Sequence, residues 1–197
     1  MNFSPSFKGH FAVVGNTGMG KGVLVSAVCR RYQAQGVPVF LLTCKENEYY
    51  TFPADFKTMD EDRFLKEVLG FRGVVSHGEN DQRAVGLIAV IDEAWQWNWR
   101  KKLEAIPNSG RSRGIEMWAQ GTRMMQMPPN VRGNCDNVVV FKQRQAEDVE
   151  LLAKSYGPEF AIASDLQPGQ FVALVENRIQ YGTAWTGEGS SFRSIKL

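Results

Sequence analysis

Histidine and cysteine are scarce in this chain. Its two histidines, His10 and His77, have no cysteine or second histidine at ligand spacing. The three cysteines, Cys29, Cys44 and Cys135, are far apart, odd in number and match no metal-binding pattern. A protein-built zinc site and a disulfide framework are therefore not expected, and the thiols read as ordinary buried groups in a reducing compartment. Long apolar runs are also missing. The longest, near Leu87–Ile91 and Val138–Phe141, are far too short to cross a bilayer, and MNFSPSFKGH at the N-terminus has no apolar stretch of signal-peptide length. The expectation is a soluble chain with no membrane span. Net charge is only +2, so bulk charge predicts no polyanion partner and any nucleic-acid surface must be local. Internal repeats and low-complexity tracts are absent.

What is present is a core. With 43% hydrophobic residues in 197, the chain suits a single domain over 1–197, its last residues 185–197 reading as a polar, mobile tail. Short apolar runs at Phe11–Val14, Val39–Thr43, Gly86–Ile91, Ile115–Ala119 and Asn137–Phe141 alternate with helical patterns at Lys21–Gln35, Glu61–Leu69, Trp95–Ala105 and Ala146–Tyr156. Pro107–Gly110 is expected to end the third helix, and Cys44–Phe56 reads as a polar, aromatic loop. Phe171–Glu176 and Arg178–Ala184 read as a hairpin turning near Asn177. Strands alternating with helices imply an α/β fold with a mainly parallel sheet covered on both faces.

Two motifs carry chemistry. The segment Gly15-Asn16-Thr17-Gly18-Met19-Gly20-Lys21 fits G-x-x-x-x-G-K, directly after an apolar strand and before a helix. Its glycines let backbone N–H groups curl around a phosphate, the helix adds its positive end, and Lys21 supplies a mobile charge for β- and γ-phosphates. The residue after the lysine, normally Ser or Thr to ligate Mg²⁺, is Gly22. The metal must then lean on Asp92, phosphate oxygens and water. The second motif, Leu87–Ile91 followed by Asp92-Glu93, is a buried strand ending in two carboxylates. Asp92 is placed to hold Mg²⁺ and Glu93 to orient or deprotonate an attacking water, which favours a hydrolase over a kinase. Gln120, at the end of Ile115–Ala119, can hydrogen-bond a γ-phosphate and report its loss; otherwise it is a solvated loop glutamine.

The order GNTGMGK, LIAVIDEAW, RSRGIEMWAQGTR and VRGNCDNVVVF, over roughly residues 11–145, resembles the FtsK–HerA superfamily of ring-forming translocases. Within it the chain looks most like the genome-packaging ATPases of tailless icosahedral viruses with an internal membrane. The resemblance implies a RecA-like P-loop NTPase core of the ASCE type, with central strand order 5-1-4-3-2. It implies ATP and Mg²⁺ as cofactors and sequence-independent double-stranded DNA as the polymer. It further implies a homomeric ring, commonly a hexamer, docking on a capsid vertex or membrane-associated viral protein, in the host cytoplasm and at the virion packaging vertex. A neighbouring subunit's arginine would complete each site. Arg132 and Arg113 are favoured over Arg111, and each reads equally well as a surface or DNA-contacting arginine.

Between Arg100 and Arg144 nine Lys/Arg stand against three acids, either a pore-lining stripe or a solvated surface. Trp95, Trp97 and Trp99 alternate after the acidic pair, chiefly as packing groups. Met124, Met125 and Met127 suit either a subunit contact or burial. Two other classes of function stay open: a small-molecule kinase or other P-loop NTPase, including the filamentous-phage assembly type, and a nucleotide-gated scaffold with negligible turnover. Replacing Lys21 by Ala is expected to abolish hydrolysis and strongly weaken nucleotide affinity, read by equilibrium binding and phosphate release; near-normal turnover would remove the phosphate-loop reading.

Overall fold

Side chains that alternate along short apolar strands build two cores, one on each face of a sheet. In the computed structural model, which describes residues 8–71, 84–98 and 102–184, eight strands form that sheet. They are β1 (Phe11–Val14), β2 (Val39–Leu42), β3 (Phe56–Thr58), β4 (Leu87–Ile91), β5 (Ile115–Gly121), β6 (Asn137–Phe141), β7 (Gln170–Val175) and β8 (Arg178–Thr183), in the order β3-β2-β4-β5-β1-β6-β7-β8. The strands from β3 to β6 pair in parallel, and β6-β7 and β7-β8 are antiparallel. The five central strands β2, β4, β5, β1 and β6 reproduce the expected 5-1-4-3-2 order. This is the RecA-like P-loop NTPase fold.

The two-residue period sorts the side chains. Ala12, Val14, Leu87, Ala89 and Ile91 enter the core under α3 (Glu61–Gly70), α4 (Ala105–Ser109), α5 (Pro129–Asn134) and α6 (Ala146–Tyr156). Phe11, Val13, Ile88 and Val90 enter the other, under α1 (Lys21–Gln33), which contributes Leu24, Val25, Val28 and Cys29. Strands buried on both faces read as continuous apolar runs, which is why they were visible in the sequence. The helix α3 starts where Asp60 accepts the Arg63 backbone N–H at 3.0 Å, a side-chain cap on its first turn. The β7-β8 hairpin closes through Glu176 and Asn177, both at positive φ, 50° and 60°, as a two-residue turn of the primed type requires.

Two expectations fail. The stretch Cys44–Phe56 is not all loop. It carries α2 (Glu46–Thr51) and leads into the edge strand β3. Neither is long enough to show a period, and β3 is placed by pairing with β2, not by its own pattern. Nor is Trp95–Ala105 one helix ended by Pro107. Ala94–Gln96 is a single 3₁₀ turn, and Pro107 lies inside α4. In the first turn of a helix the missing N–H of proline costs no hydrogen bond. The tail 185–197 lies outside the described residues.

One buried carboxylate ties α1 to the sheet. Glu116, on β5 and fully buried, accepts from the Tyr32 hydroxyl of α1 at 3.0 Å, the Trp118 indole at 2.8 Å and the Lys8 backbone N–H at 3.2 Å. Burial pushes its carboxyl up to about 7, against the pull of those three donors. The folded chain therefore keeps this proton up to about pH 7, whereas the unfolded chain loses it near 4.5. Stability from this group is complete below the unfolded value and is lost as pH rises through the folded one, by about 3 kcal/mol at 1.36 kcal/mol per pKa unit. Denaturant midpoints at pH 5 and pH 8 should fall more steeply in the wild type than in Glu116→Gln. Parallel pH dependence in the two proteins would show that Glu116 is not the group responsible.

Candidate nucleotide site

At the carboxyl end of the parallel sheet, β1, β4 and β5 bring the two motifs together. Gln120 pairs in register with Val13 of β1, and Ala119 with Ile91 of β4, so the loop after β1, Asp92 and Gln120 stand at one level. Ligands of open α/β sheets bind outside this end. A cavity of about 410 Å³ lies there, lined among others by Gly20, Lys21, Gly22, Asp92, Glu93 and Gln120.

The loop is held from both sides. Gly15 N–H donates to Gly121 O at 3.3 Å, and Asn16 N–H to Lys142 O at 3.0 Å, extending the pairing with β5 and β6 beyond the strands. Gly15 has φ 153°, and a Cβ there would stand 2.5 Å from the Cβ of Phe141, so only glycine fits. Gly20, at φ 109°, leads directly into α1. The Lys21 ammonium donates to the carbonyls of Gly15 (2.5 Å) and Asn16 (3.2 Å) and so closes the loop on itself. Burial lowers its pKa, opposed by the charge of Glu93.

The acidic pair is nearly buried, Asp92 at 5% and Glu93 at 7% exposure, and both carboxylates meet one cation that the sequence reading missed. Lys45 Nζ lies 2.6 Å from Glu93 Oε1 and 3.2 Å from Asp92 Oδ2. Thr43 Oγ1 donates to Asp92 Oδ2 at 3.1 Å, and the Trp95 indole to Glu93 Oε2 at 2.8 Å. Burial would raise the Glu93 carboxyl, but the hydrogen bonds from Lys45 and Trp95 outweigh it and hold it below the ordinary range. Burial likewise opposes the charge on Lys45, and its bonds to the two carboxylates raise its pKa overall. Glu93 adopts left-handed backbone, φ 46°, an uncommon conformation for a residue with a side chain, at the start of the 3₁₀ turn. Thr43, Lys45 and Glu48, which also lines the cavity, follow β2. Their only signal in sequence was their place after the carboxyl end of a buried strand.

The tryptophans divide. Trp95 is 45% exposed with its N–H on Glu93, and Trp97 is half-buried against the core, donating to Asp92 O at 2.7 Å. Trp99 lies outside the described residues. Met124 and Met127 are buried and Met125 is exposed. The strand carrying Gln120 is anchored just beyond it. Arg123 Nε pairs with the fully buried Asp148 of α6 at 2.6 Å, and the same carboxylate accepts the Met125 N–H at 2.9 Å.

None of the three candidate arginines lines this cavity. Arg113 is exposed and donates to Leu69 O at 2.7 Å, Arg111 pairs with Asp136, and Arg132 is half-buried on α5. Arg123 and Lys102, also part of the basic stretch, are tied to acids, and Arg100 and Lys101 lie outside the described residues. Lys102, Arg111 and Arg123 of that stretch are thus paired with acids and Arg113 with a carbonyl.

Among the described residues, no three His, Cys, Asp or Glu side chains are grouped to hold a metal alone. The donors suit the Mg²⁺ of a nucleotide, which takes one or two carboxylates beside phosphate oxygens and water. Asp92 is a hard, buried oxygen donor facing the phosphate loop.

Loop, lysine, acidic pair and strand order together define the chain as P-loop NTPase in fold. Its solved structural neighbours narrow the likeness. It is similar to the genome packaging NTPase B204 from Sulfolobus turreted icosahedral virus 2 in complex with AMPPCP, with TM-score 0.68 and 16% identity over 88% of this chain and 96% of that one. It is equally similar to B204, the DNA-packaging ATPase from Sulfolobus turreted icosahedral virus, with TM-score 0.68 and 16% identity over 92% and 98%. The pCW3 conjugation coupling protein TcpA with ATPγS follows with TM-score 0.63 and 15% identity, over 91% of this chain but 60% of that one. No protein-family model matches the chain, and no curated protein matches it in sequence. The likeness in fold thus runs to viral genome-packaging NTPases and a conjugation coupling protein.

The roles of the two carboxylates separate by substitution. Glu93→Gln should retain ATP binding and hydrolyse about 10²–10⁴-fold more slowly, as loss of a general base does. Asp92→Asn should instead raise the Mg²⁺ concentration needed for half-maximal turnover. Identical behaviour of the two variants in Mg²⁺-titrated phosphate-release assays would refute the assignment.

Proposed function

We propose that this chain is an ATP-driven translocase that packages viral double-stranded DNA into a preformed capsid. The observation that carries the reading is the convergence of Lys21, Asp92, Glu93 and Gln120 on one cavity at the carboxyl end of the sheet. The fold shared with packaging NTPases over nearly the whole of both chains supports the choice of polymer.

In this reading the loop amides and Lys21 hold the β- and γ-phosphates, and Asp92 holds the metal, directly or through water. Bound Mg²⁺ supplies neutralisation of the charge that spreads over the phosphoryl oxygens. Glu93 orients the attacking water and takes its proton. Both of its oxygens already accept one hydrogen bond, from Lys45 and from Trp95, and each keeps a further lone pair for the water. Gln120 hydrogen-bonds the γ-phosphate and senses its departure. An arginine from a neighbouring subunit, Arg132 or Arg113, completes the site. The absence of both from the cavity of their own chain is compatible with that trans role. The assembly is a homomeric ring, most simply a hexamer, acting in the host cytoplasm and at the packaging vertex, where it meets a capsid or membrane-associated viral protein.

Phosphate release should be stimulated by double-stranded DNA of any sequence, and binding should weaken steeply with salt because phosphates are the contact. Turnover indifferent to DNA would favour a small-molecule P-loop enzyme, and no multiple turnover at all a nucleotide-gated scaffold. Arg132→Ala or Arg113→Ala should keep ATP binding and lose about 10³-fold or more in turnover. Mixing the inactive arginine variant with Lys21→Ala should restore part of the activity, since some interfaces then pair an intact loop with an intact arginine. No recovery at any ratio would place the arginine in cis.

A further inference from the structure

Gly22 removes the hydroxyl that a phosphate loop ordinarily offers to Mg²⁺, and the structure brings a carboxylate oxygen near that position. A Cβ built on Gly22 meets a single atom within 4 Å among the described residues, Glu48 Oε1, at 3.6 Å. A serine hydroxyl would extend one bond beyond that Cβ, into the space this carboxylate reaches. Glu48 lies on α2, the short helix after β2, and lines the nucleotide cavity together with Lys21, Gly22 and Asp92. Asp92 and Glu93 are both bound by Lys45, whereas among the described residues no hydrogen bond or ion pair holds the Glu48 carboxylate.

We infer that Glu48 is the substitute ligand: its carboxylate, together with that of Asp92, would serve the divalent cation of the bound nucleotide in place of the missing hydroxyl. This rests on the nucleotide reading of the site. The chemistry suits the ion. Mg²⁺ is a hard cation that prefers oxygen donors and is commonly bound by one or two carboxylates plus phosphates. The exchange also has an electrostatic consequence. Lys21 and Lys45 carry two positive charges against the three carboxylates of Asp92, Glu93 and Glu48, where a hydroxyl in place of Glu48 would leave a neutral balance. The additional negative charge attracts the divalent ion and repels a bare polyphosphate. Nucleotide affinity in this protein is therefore more dependent on the metal than in a loop with the usual hydroxyl.

The test is calorimetric titration of the full chain with the β,γ-methylene analogue of ATP, at saturating Mg²⁺ and again in EDTA. It compares wild type, Glu48→Gln, Glu48→Gln/Gly22→Ser and Lys21→Ala. The near-isosteric Glu48→Gln should bind about tenfold more weakly with Mg²⁺, a loss typical of disturbed metal coordination, yet as tightly or more tightly than wild type in EDTA. Restoring the hydroxyl in the double variant should recover most of the loss with Mg²⁺. Electron paramagnetic resonance of Mn²⁺ in the analogue complex should show weakened Mn²⁺ retention in Glu48→Gln, independently of turnover. An unchanged ratio of the two affinities in Glu48→Gln would overturn the inference while leaving the nucleotide site intact. So would tighter binding under both conditions, which would make Glu48 a repulsive gate and not a ligand. Loss of the underlying reading looks different: wild type would then bind no analogue in either condition, or Lys21→Ala would bind it as well as wild type.

Discussion

β1 leaves the sheet between β5 and β6, and at the point of exit there is no room for a side chain. Gly15 passes so close to Phe141 that a Cβ would overlap it, and Gly15 and Asn16 continue the backbone pairing to Gly121 and Lys142. This squeeze fixes where the phosphate loop begins and which way it curls. The direction of α1 follows, because Gly20 turns directly into its first residue. The positions of Asp92 and Gln120 follow too, since β4 and β5 are held in register with β1 through shared hydrogen bonds. A larger residue at position 15 would displace β6 from β1 or the loop from both.

The second organising feature is charge. Five ionisable groups from three separate stretches of chain meet in a partly water-excluded space: Lys21 from the loop, Lys45 and Glu48 after β2, and Asp92 and Glu93 after β4. In such surroundings an unpaired charge is costly, and the arrangement answers with a lysine shared by two carboxylates. The pairing holds the Glu93 carboxyl below its ordinary range and gives both carboxylates a hydrogen-bonding cation. Binding of a polyanion with its cation would act on all five groups at once.

Much of this was legible from residue order. The loop GNTGMGK and the acid pair after LIAVI were recognisable because their chemistry depends on local backbone and on adjacent residues. The central strands showed as apolar runs because both faces of a parallel sheet are buried. The hairpin at Asn177 was visible for a similar reason, a turn requiring positive φ between two apolar segments. The elements that were misread lack such internal signals. α2 and β3 are too short for a period, and the region after Glu93 breaks into a 3₁₀ turn because Trp95 and Trp97 donate back to the acidic segment and do not continue a helix.

The sequence alone determined the kind of loop, the identity of the two carboxylates, the alternation of the central strands with helices, and the absence of a hydroxyl at position 22. These depend on neighbours along the chain or on a repeating apolar pattern, and both are written in residue order. Tertiary structure decided that Lys45 bridges Asp92 and Glu93, that Glu48 faces Gly22, that Arg123 is bound to the buried Asp148, and that Arg113 and Arg132 stand away from the cavity of their own chain. Each of these is a meeting of side chains distant in sequence. Such a meeting is set by strand register and by the direction in which a helix leaves the sheet, and neither quantity has a local signature.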